Sequence, residues 1–364
     1  MKIEELSLEE RIGQMFIVGM NTSNIIDKID DLILKYKIGG ILLYKKNYKN
    51  CDELIEIINY IKKLNKANKI PILIAIDQEG GRVNRMPEDF KNIPAAYKLA
   101  SNSQEENLVK QAGEITAQML AKIGVNMDLA PVLDIKRFEN QHAIGDRAFS
   151  EKKEEVYKYG ITYMKELQKQ NIISVIKHFP GHGATATDSH FMLPIIKTKM
   201  EELEKEDMIP FGETIKNGAD AMLVSHLRIK GITQKFPSTM SRKFITKYIR
   251  KKYHYKGVII TDDMRMKGVQ FLYGKDKPVK RAFEAGNDII LMKYMDGDNI
   301  IEQIIEEVKQ SSIKQARVNR SVKRILALKE KYNIEDKEVQ VDKKWIEETN
   351  KKIQEIRDKV QKNV

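Results

Sequence analysis

NLVKQAGEITAQMLAKIG (107–124) runs almost directly into NMDLAPVLDI (126–135), and the change of period between them decides how the chain is read. The first stretch brings its apolar residues back every three or four positions, as an amphipathic helix requires. The second is a nearly continuous apolar run, as a strand buried on both faces requires. The same alternation recurs outward in both directions. Short apolar, β-branched runs stand at MFIVGM (15–20), GGILLY (39–44), ILIAID (72–77), ISVIKH (173–178), AMLVSH (221–226), GVIITDD (257–263) and DIILMK (288–293), which makes eight with the run at 126–135. Longer segments of helical period, such as EEVYKYGITYMKELQKQ (154–170), lie between them, and Ser7-Leu8-Glu9-Glu10 fits a capping box that opens a helix before the first strand. Eight strand–helix units predict an α/β fold, a (β/α)8 TIM barrel with extra C-terminal helices, in preference to an open doubly wound sheet. The barrel is assigned to residues 1–335. Residues 336–364 are assigned to a charged helical tail that Trp345 and Ile353 pin to the body.

Composition narrows the function. With 364 residues, 41% hydrophobic and 32% charged, the chain is neither collagen-like nor wholly disordered. A single cysteine, Cys51, excludes a disulfide framework and a cysteine-based zinc site. No apolar run approaches the ~18 residues of a membrane span. The N-terminus, MKIEELSLEERIGQM, is acidic where a signal peptide would be basic. The expectation is a soluble, cytoplasmic monomer without a membrane partner. The net charge of +12 is spread among interleaved Lys, Glu and Asp with no basic block, which argues for a solvated surface and against a nucleic-acid site. Whether the excess serves an anionic substrate stays open. Neither G-x-G-x-x-G nor a P-loop occurs, so no nucleotide cofactor is expected.

Barrel enzymes carry their chemistry at the C-terminal ends of the strands, and the polar residues fall in that register. The third run ends in Asp77, the fourth in Asp134, the fifth in Lys177-His178, the sixth in His226 and the seventh in Asp262-Asp263. Of the six histidines only His254 lies outside a strand end or the loop after it. The loop KHFPGHGATATDSH (177–190) carries Asp188 two residues before His190. In extended backbone the two point to the same side, so the carboxylate can accept the ring N–H and make His190 a proton shuttle. A carboxylate from the Asp262-Asp263 pair across the mouth would then supply the second half of a retaining glycoside hydrolysis. Asp77, Arg85, Arg147, Lys177 and His178 read as a sugar clamp. Glu79, Arg82 and Asp146 read equally well as supporting partners, and Asp134 and His226 are open. A metal site through His178, His182 and His190 is the competing reading, but Phe-Pro-Gly between the first two forbids the helix that such spacing normally uses.

With these residues in view, the chain resembles glycoside hydrolase family 3, in its single-domain β-N-acetylglucosaminidase branch. The segments that carry the resemblance are IDQEGGRVNR (76–85), LAPVLDI (129–135), IGDRAFS (144–150), KHFPGHGATATDSH (177–190), MLVSHLRI (222–229), PSTMSRKFI (237–245), GVIITDDMRMKG (257–268) and RVNRSVKRILALKEKY (317–332). The resemblance implies Asp262 as nucleophile, His190 as general acid/base in a dyad with Asp188, and Asp77, Arg85, Arg147, Lys177 and His178 as the binding site for N-acetylglucosamine. It implies no metal and no cofactor. The implied reaction removes terminal β-linked N-acetylglucosamine from muropeptides or chitin-like sugars, in cell-wall recycling. Two-domain relatives take a Glu acid/base from a second domain, and the chain is expected to be too short after the eighth strand to hold one. Two departures from the pattern stand out: Ala184 in place of the usual Asp, and Gln141-His142-Ala143 where Asn-Pro-Val is usual. The alternatives are a β-glucosidase or phosphorylase on the same fold, a metal-dependent hydrolase, and a catalytically silent sugar-binding module.

Overall fold

The computed structural model describes residues 2–20, 29–102, 107–138, 143–182, 193–233, 235–295 and 299–362. Every one of the eight apolar runs contributes a strand. They are β1 (Phe16–Gly19), β2 (Gly40–Leu42), β3 (Leu73–Ile76), β4 (Met127–Asp128), β5 (Ile173–Phe179), β7 (Ala221–Val224), β9 (Val258–Thr261) and β10 (Ile290–Met292). Two short strands, β6 (Ile195–Ile196) and β8 (Arg228–Ile229), pair with each other outside the main sheet. The eight are parallel, in the order β10-β1-β2-β3-β4-β5-β7-β9. A parallel bridge between Ile260 and Ile289, with Thr261 N–H donating to the Ile289 carbonyl, joins the last to the first. The result is a (β/α)8 barrel.

Local sequence accounts for the elements. Ser7 Oγ accepts the Glu10 N–H at 3.1 Å while Glu10 Oε2 accepts the Ser7 N–H at 2.7 Å, so the capping box is present and opens helix Leu8–Gly13. The helices Asn107–Ile123 and Lys153–Lys169 cover the barrel with their apolar faces. The fourth run pairs for only two residues, because Pro131 has no N–H to give the ladder. The extended chain continues beyond it, and Val132 bridges Lys177.

The end of the barrel where the strands begin is closed by charge. Asp288 is fully buried. Its Oδ1 accepts from Ser321 Oγ at 2.7 Å and from Arg324 Nη2 at 2.7 Å, and its Oδ2 accepts from Ile259 N–H at 2.9 Å and from Arg250. Lys329, also buried, donates to Gln14 Oε1 at 2.6 Å, the Pro71 carbonyl at 2.7 Å and the Gly39 carbonyl at 3.0 Å. Arg324, Ser321 and Lys329 all stand on helix Ser312–Lys331, which is thereby fastened across that end.

The last helix, Lys343–Lys362, lies against Asn107–Ile123 and buries Ile353, Ile356 and Val360. Trp345 meets the edge of Phe90 at a ring separation of 6.0 Å. Asn350, Gln354 and Arg357 bond to Asp89, Lys91 and Asn92. Among the described residues no helix is long and apolar enough to cross a membrane.

Candidate active site

The ends of β3 and β5, with the turn Gly145–Arg147 that follows β4, bring four charged side chains together. Lys177 Nζ stands 2.7 Å from Asp77 Oδ1 and 2.6 Å from Glu79 Oε1. Arg147 holds Glu79 in a fork, Nε to Oε2 at 2.7 Å and Nη2 to Oε1 at 2.8 Å, the geometry in which a guanidinium binds a carboxylate most strongly. Burial alone would push the Glu79 carboxyl up, but Arg147 and Lys177 more than offset this and hold it far below the usual carboxylate range. Burial works against the Lys177 charge as well, and Asp77 and Glu79 outweigh it and raise its pKa.

Lys177 and His178 are neighbours in β5, where strict alternation would send them to opposite faces. The pairing of β5 with β7 shifts register between Ile176 and Phe179, and both side chains line the same cavity. His178 Nδ1 lies 2.6 Å from Asp134 Oδ2, and its Nε2 lies 3.2 Å from Arg147 Nη2. A guanidinium nitrogen can only donate, so Nε2 is the acceptor and the ring proton sits on Nδ1, facing Asp134. Asp134 also accepts the backbone N–H groups of His178 at 3.2 Å and His182 at 2.5 Å. It is a fully buried anchor for the start of the 177–190 loop. The His182 ring is buried, without a hydrogen-bond partner among the described residues, and burial lowers its pKa.

The loop after β3 is shaped by its glycines. Gly80 and Gly81 both have positive φ, and a Cβ on Gly81 would stand 2.6 Å from that of Ala95. Gln78 braces the turn: its N–H donates to Asp128 Oδ1 at 2.9 Å and its Oε1 accepts the Arg85 N–H at 2.8 Å. Tyr48 Oη donates to the Arg85 carbonyl at 2.6 Å. These contacts set Arg85 into the cavity wall. Arg82 pairs instead with Asp146, Nε to Oδ1 at 2.9 Å, near the surface.

At the end of β9, Asp262 Oδ1 accepts the N–H of Asp263 at 2.8 Å. Asp263 Oδ1 accepts the N–H groups of Lys293 at 2.7 Å and Arg265 at 2.9 Å. The second carboxylate is thus taken up by backbone, as expected for one of two neighbours at a strand end. Burial pushes its carboxyl up to about 6. His226 Nε2 donates to the Asp263 carbonyl at 3.0 Å, and its Nδ1 faces Thr239 Oγ1 at 2.7 Å. His226 therefore supports the turn that presents the pair.

Asp77, Arg85, Arg147, Lys177, His178 and Asp262 all line one cavity of about 360 Å³. Asp188 and His190 lie outside the described residues, as do Ala184, Gln141 and His142. Tyr44 and Lys293 line the cavity too and were not singled out from the sequence. Both close strand runs, GGILLY and DIILMK, so the strand-end criterion that picked out Asp77 would have found them. Glu79, read only as a supporting partner, is the hub of the charge cluster. Among the described residues no group of three or more His, Cys, Asp or Glu is placed to hold a metal ion.

The barrel is shared with known proteins. Residues 7–328 match the glycosyl hydrolase family 3 N-terminal domain. A beta-hexosaminidase of Photobacterium profundum is 34% identical over 263 residues, which is 72% of this chain and 76% of that protein. One from Neisseria meningitidis is 33% identical over 266 residues, 71% of this chain and 72% of that protein. The structure of a glycoside hydrolase family 3 beta-N-acetylglucosaminidase from Paenibacillus sp. superposes with a TM-score of 0.89 at 28% identity, over 98% of this chain and 69% of that one. A match of this extent, on a barrel whose charged strand ends converge at one mouth, settles the assignment: the chain belongs to glycoside hydrolase family 3 and is a glycoside hydrolase.

Proposed function

We propose that the chain is a retaining exo-β-N-acetylglucosaminidase, releasing terminal β-linked N-acetylglucosamine from muropeptides or chito-oligosaccharides. The observation that carries this reading is the meeting of Asp262 with Asp77, Arg85, Arg147, Lys177 and His178 in a single cavity. Its volume, about 360 Å³, is at the small end for ligand pockets and suits one sugar unit. The similarity to proteins named as beta-hexosaminidases points the same way.

In this reading the Asp262 carboxylate attacks the anomeric carbon as the bond to the leaving oxygen breaks. His190, as imidazolium, gives its proton to that oxygen, with Asp188 accepting the other ring N–H. Neutral His190 then takes a proton from water while the water oxygen attacks the same carbon and releases Asp262. Two inversions leave the configuration retained. The N–H of Asp263 on Asp262 Oδ1 fixes the plane of the attacking carboxylate. Asp77, held by Lys177, accepts from sugar hydroxyls, Arg85 and Arg147 donate to the sugar from the other walls, and His178, its ring proton turned to Asp134, completes the wall between them.

A fluorinated slow substrate tests the covalent step. A sugar adduct on the peptide containing Asp262 is the expected result; an active enzyme that forms no adduct would overturn it. Hydrolysis of a chromogenic N-acetylglucosaminide beside the matching glucoside tests the specificity, with strong preference for the former expected. His190→Ala should slow substrates with poor leaving groups far more than activated aryl glycosides, and exhaustive chelation should leave the rate unchanged.

A further inference from the structure

A second cavity, larger than the one at the barrel mouth, lies away from it and shares no lining residue with it. It has a volume of about 720 Å³ and runs between residues 232–233 and 235–246, the end of helix Asp276–Ala285 and the start of helix Ser312–Lys331. Its walls are unusually one-sided in charge. Lys235, Arg242, Lys243, Arg281, Arg317 and Arg320 face it without a carboxylate partner among the described residues, whereas Lys314 is engaged by Glu307 and by Glu284, the only acidic residue of the lining.

Two of the arginines are pre-set. The Arg281 guanidinium lies 3.7 Å from the ring centre of Phe236, and that of Arg317 lies 4.3 Å from the ring centre of Phe283. Stacking of this kind covers the face of the guanidinium and leaves its N–H edge as the donor; Arg317 turns that edge inward, to the Asn287 carbonyl and Met15 Sδ, and so adds charge to the cavity wall while Arg281 supplies the donor. The Nε atoms of both are buried without a hydrogen-bond acceptor among the described residues. Burial, together with Arg324, Arg320 and Arg250 nearby, pulls the Arg317 pKa down to about 9 despite Asp288. Cations gathered in this way repel one another, and an anion among them relieves the repulsion. Ile232 and Met240 give the same cavity an apolar wall.

We propose that this cavity is a second ligand site, for a small phosphorylated molecule whose phosphate is gripped by Arg281 with Arg242 and Arg320 and whose ring portion lies against Ile232, Phe236 and Met240. Planar, forked donors are the groups that recognise phosphate through paired hydrogen bonds. A sugar phosphate and a nucleotide both carry this chemistry.

Isothermal titration calorimetry on the whole chain tests it with three probes: inorganic pyrophosphate, glucose 6-phosphate and adenosine diphosphate. At least one of the two organic probes should bind with a Kd below about 1 mM, more tightly than pyrophosphate, and the tighter of the two identifies the source. The triple variant R242Q/R281Q/R320Q should weaken that binding at least tenfold while its thermal midpoint stays near that of the parent; Arg242 and Arg320 are exposed, so R242Q/R320Q serves if the triple variant unfolds. Failure of every probe to bind at about 1 mM would overturn the proposal. So would binding that survives the substitutions, because the anion would then sit at the barrel mouth. Pyrophosphate binding as tightly as both organic probes would overturn the role of the apolar wall.

Discussion

The two ends of the barrel hold comparable clusters of buried charge and put them to opposite uses. Where the strands begin, Asp288 is saturated: Ser321, Arg324, Arg250 and the Ile259 N–H share its two oxygens, and a helix lies over it. Where the strands end, Lys177, Asp77, Glu79 and Arg147 are just as closely joined, but they line an open cavity. A buried ion pair contributes little net stability and is costly to break. Position therefore decides what such a cluster does. The closed one fastens a helix, while the open one presents fixed charge to a ligand without needing to be reorganised on binding.

The sharpest way to break this contrast is at Asp262. Asp262→Ala should lower kcat/KM on a chromogenic N-acetylglucosaminide by about 10⁴-fold or more and leave the thermal midpoint close to that of the parent; a loss below tenfold would remove Asp262 from the chemistry. Lys177→Met should do two things, because it strands Asp77 and Glu79 beside Arg147 alone. Unfolding free energy should fall by about 3 kcal/mol, and kcat/KM should drop by about 100-fold, of the size seen for a lost positioning group. Asp288→Asn, at the closed end, should match the first effect, about 3 kcal/mol, with kcat and KM of the folded enzyme unchanged. Equal kinetic damage from Asp288→Asn would mean the two ends are not separable.

A smaller effect sharpens the comparison within the mouth. Burial raises the Asp263 carboxyl to about 6, so the folded chain holds that proton more tightly than the unfolded one. Its contribution to stability is complete below the ordinary carboxylate pKa near 3.8 and is lost as pH rises through 6. Glu79 has the opposite sign: its pKa is depressed, so its contribution is present above the ordinary value near 4.5 and is lost as pH falls. Asp263→Asn should therefore raise the unfolding free energy at pH 7 by on the order of 2 kcal/mol and flatten the curve between pH 4 and 6. A curve of unchanged shape would contradict the assignment. The smallest change is expected from Arg357→Ala, which frees one bond to the Asn92 carbonyl and should raise KM by about threefold, within the range for a single lost hydrogen bond.

Most of the barrel was legible in the sequence because continuous apolar runs have few folds open to them. All eight runs became strands, and the capping box at Ser7 formed as its spacing predicts. The strand-end rule brought Asp77, Lys177, His178 and Asp262 to one cavity. It could not say that His178 would point the same way as Lys177, because a register shift in β5 is a property of pairing with β7 and leaves no mark in either run. Nor could it rank Glu79, whose importance comes from Arg147, 68 residues further on. The short ladder of the fourth strand was foreseeable from Pro131, and the basic cavity on the flank was not, since its arginines come from three separate segments.

Helix Lys343–Lys362 grips the 89–92 segment, which follows the loop that carries Arg82 and Arg85. The bond from Arg357 to Asn92 spans 265 residues. On the ribosome, then, the loop that carries Arg82 and Arg85 is made early and waits for its brace until helix Lys343–Lys362 has emerged. A nascent chain that has exposed the eight strands and helix Ser312–Lys331, but not Lys343–Lys362, would have its barrel closed and this brace still missing, so the geometry of the mouth should be completed after the barrel itself.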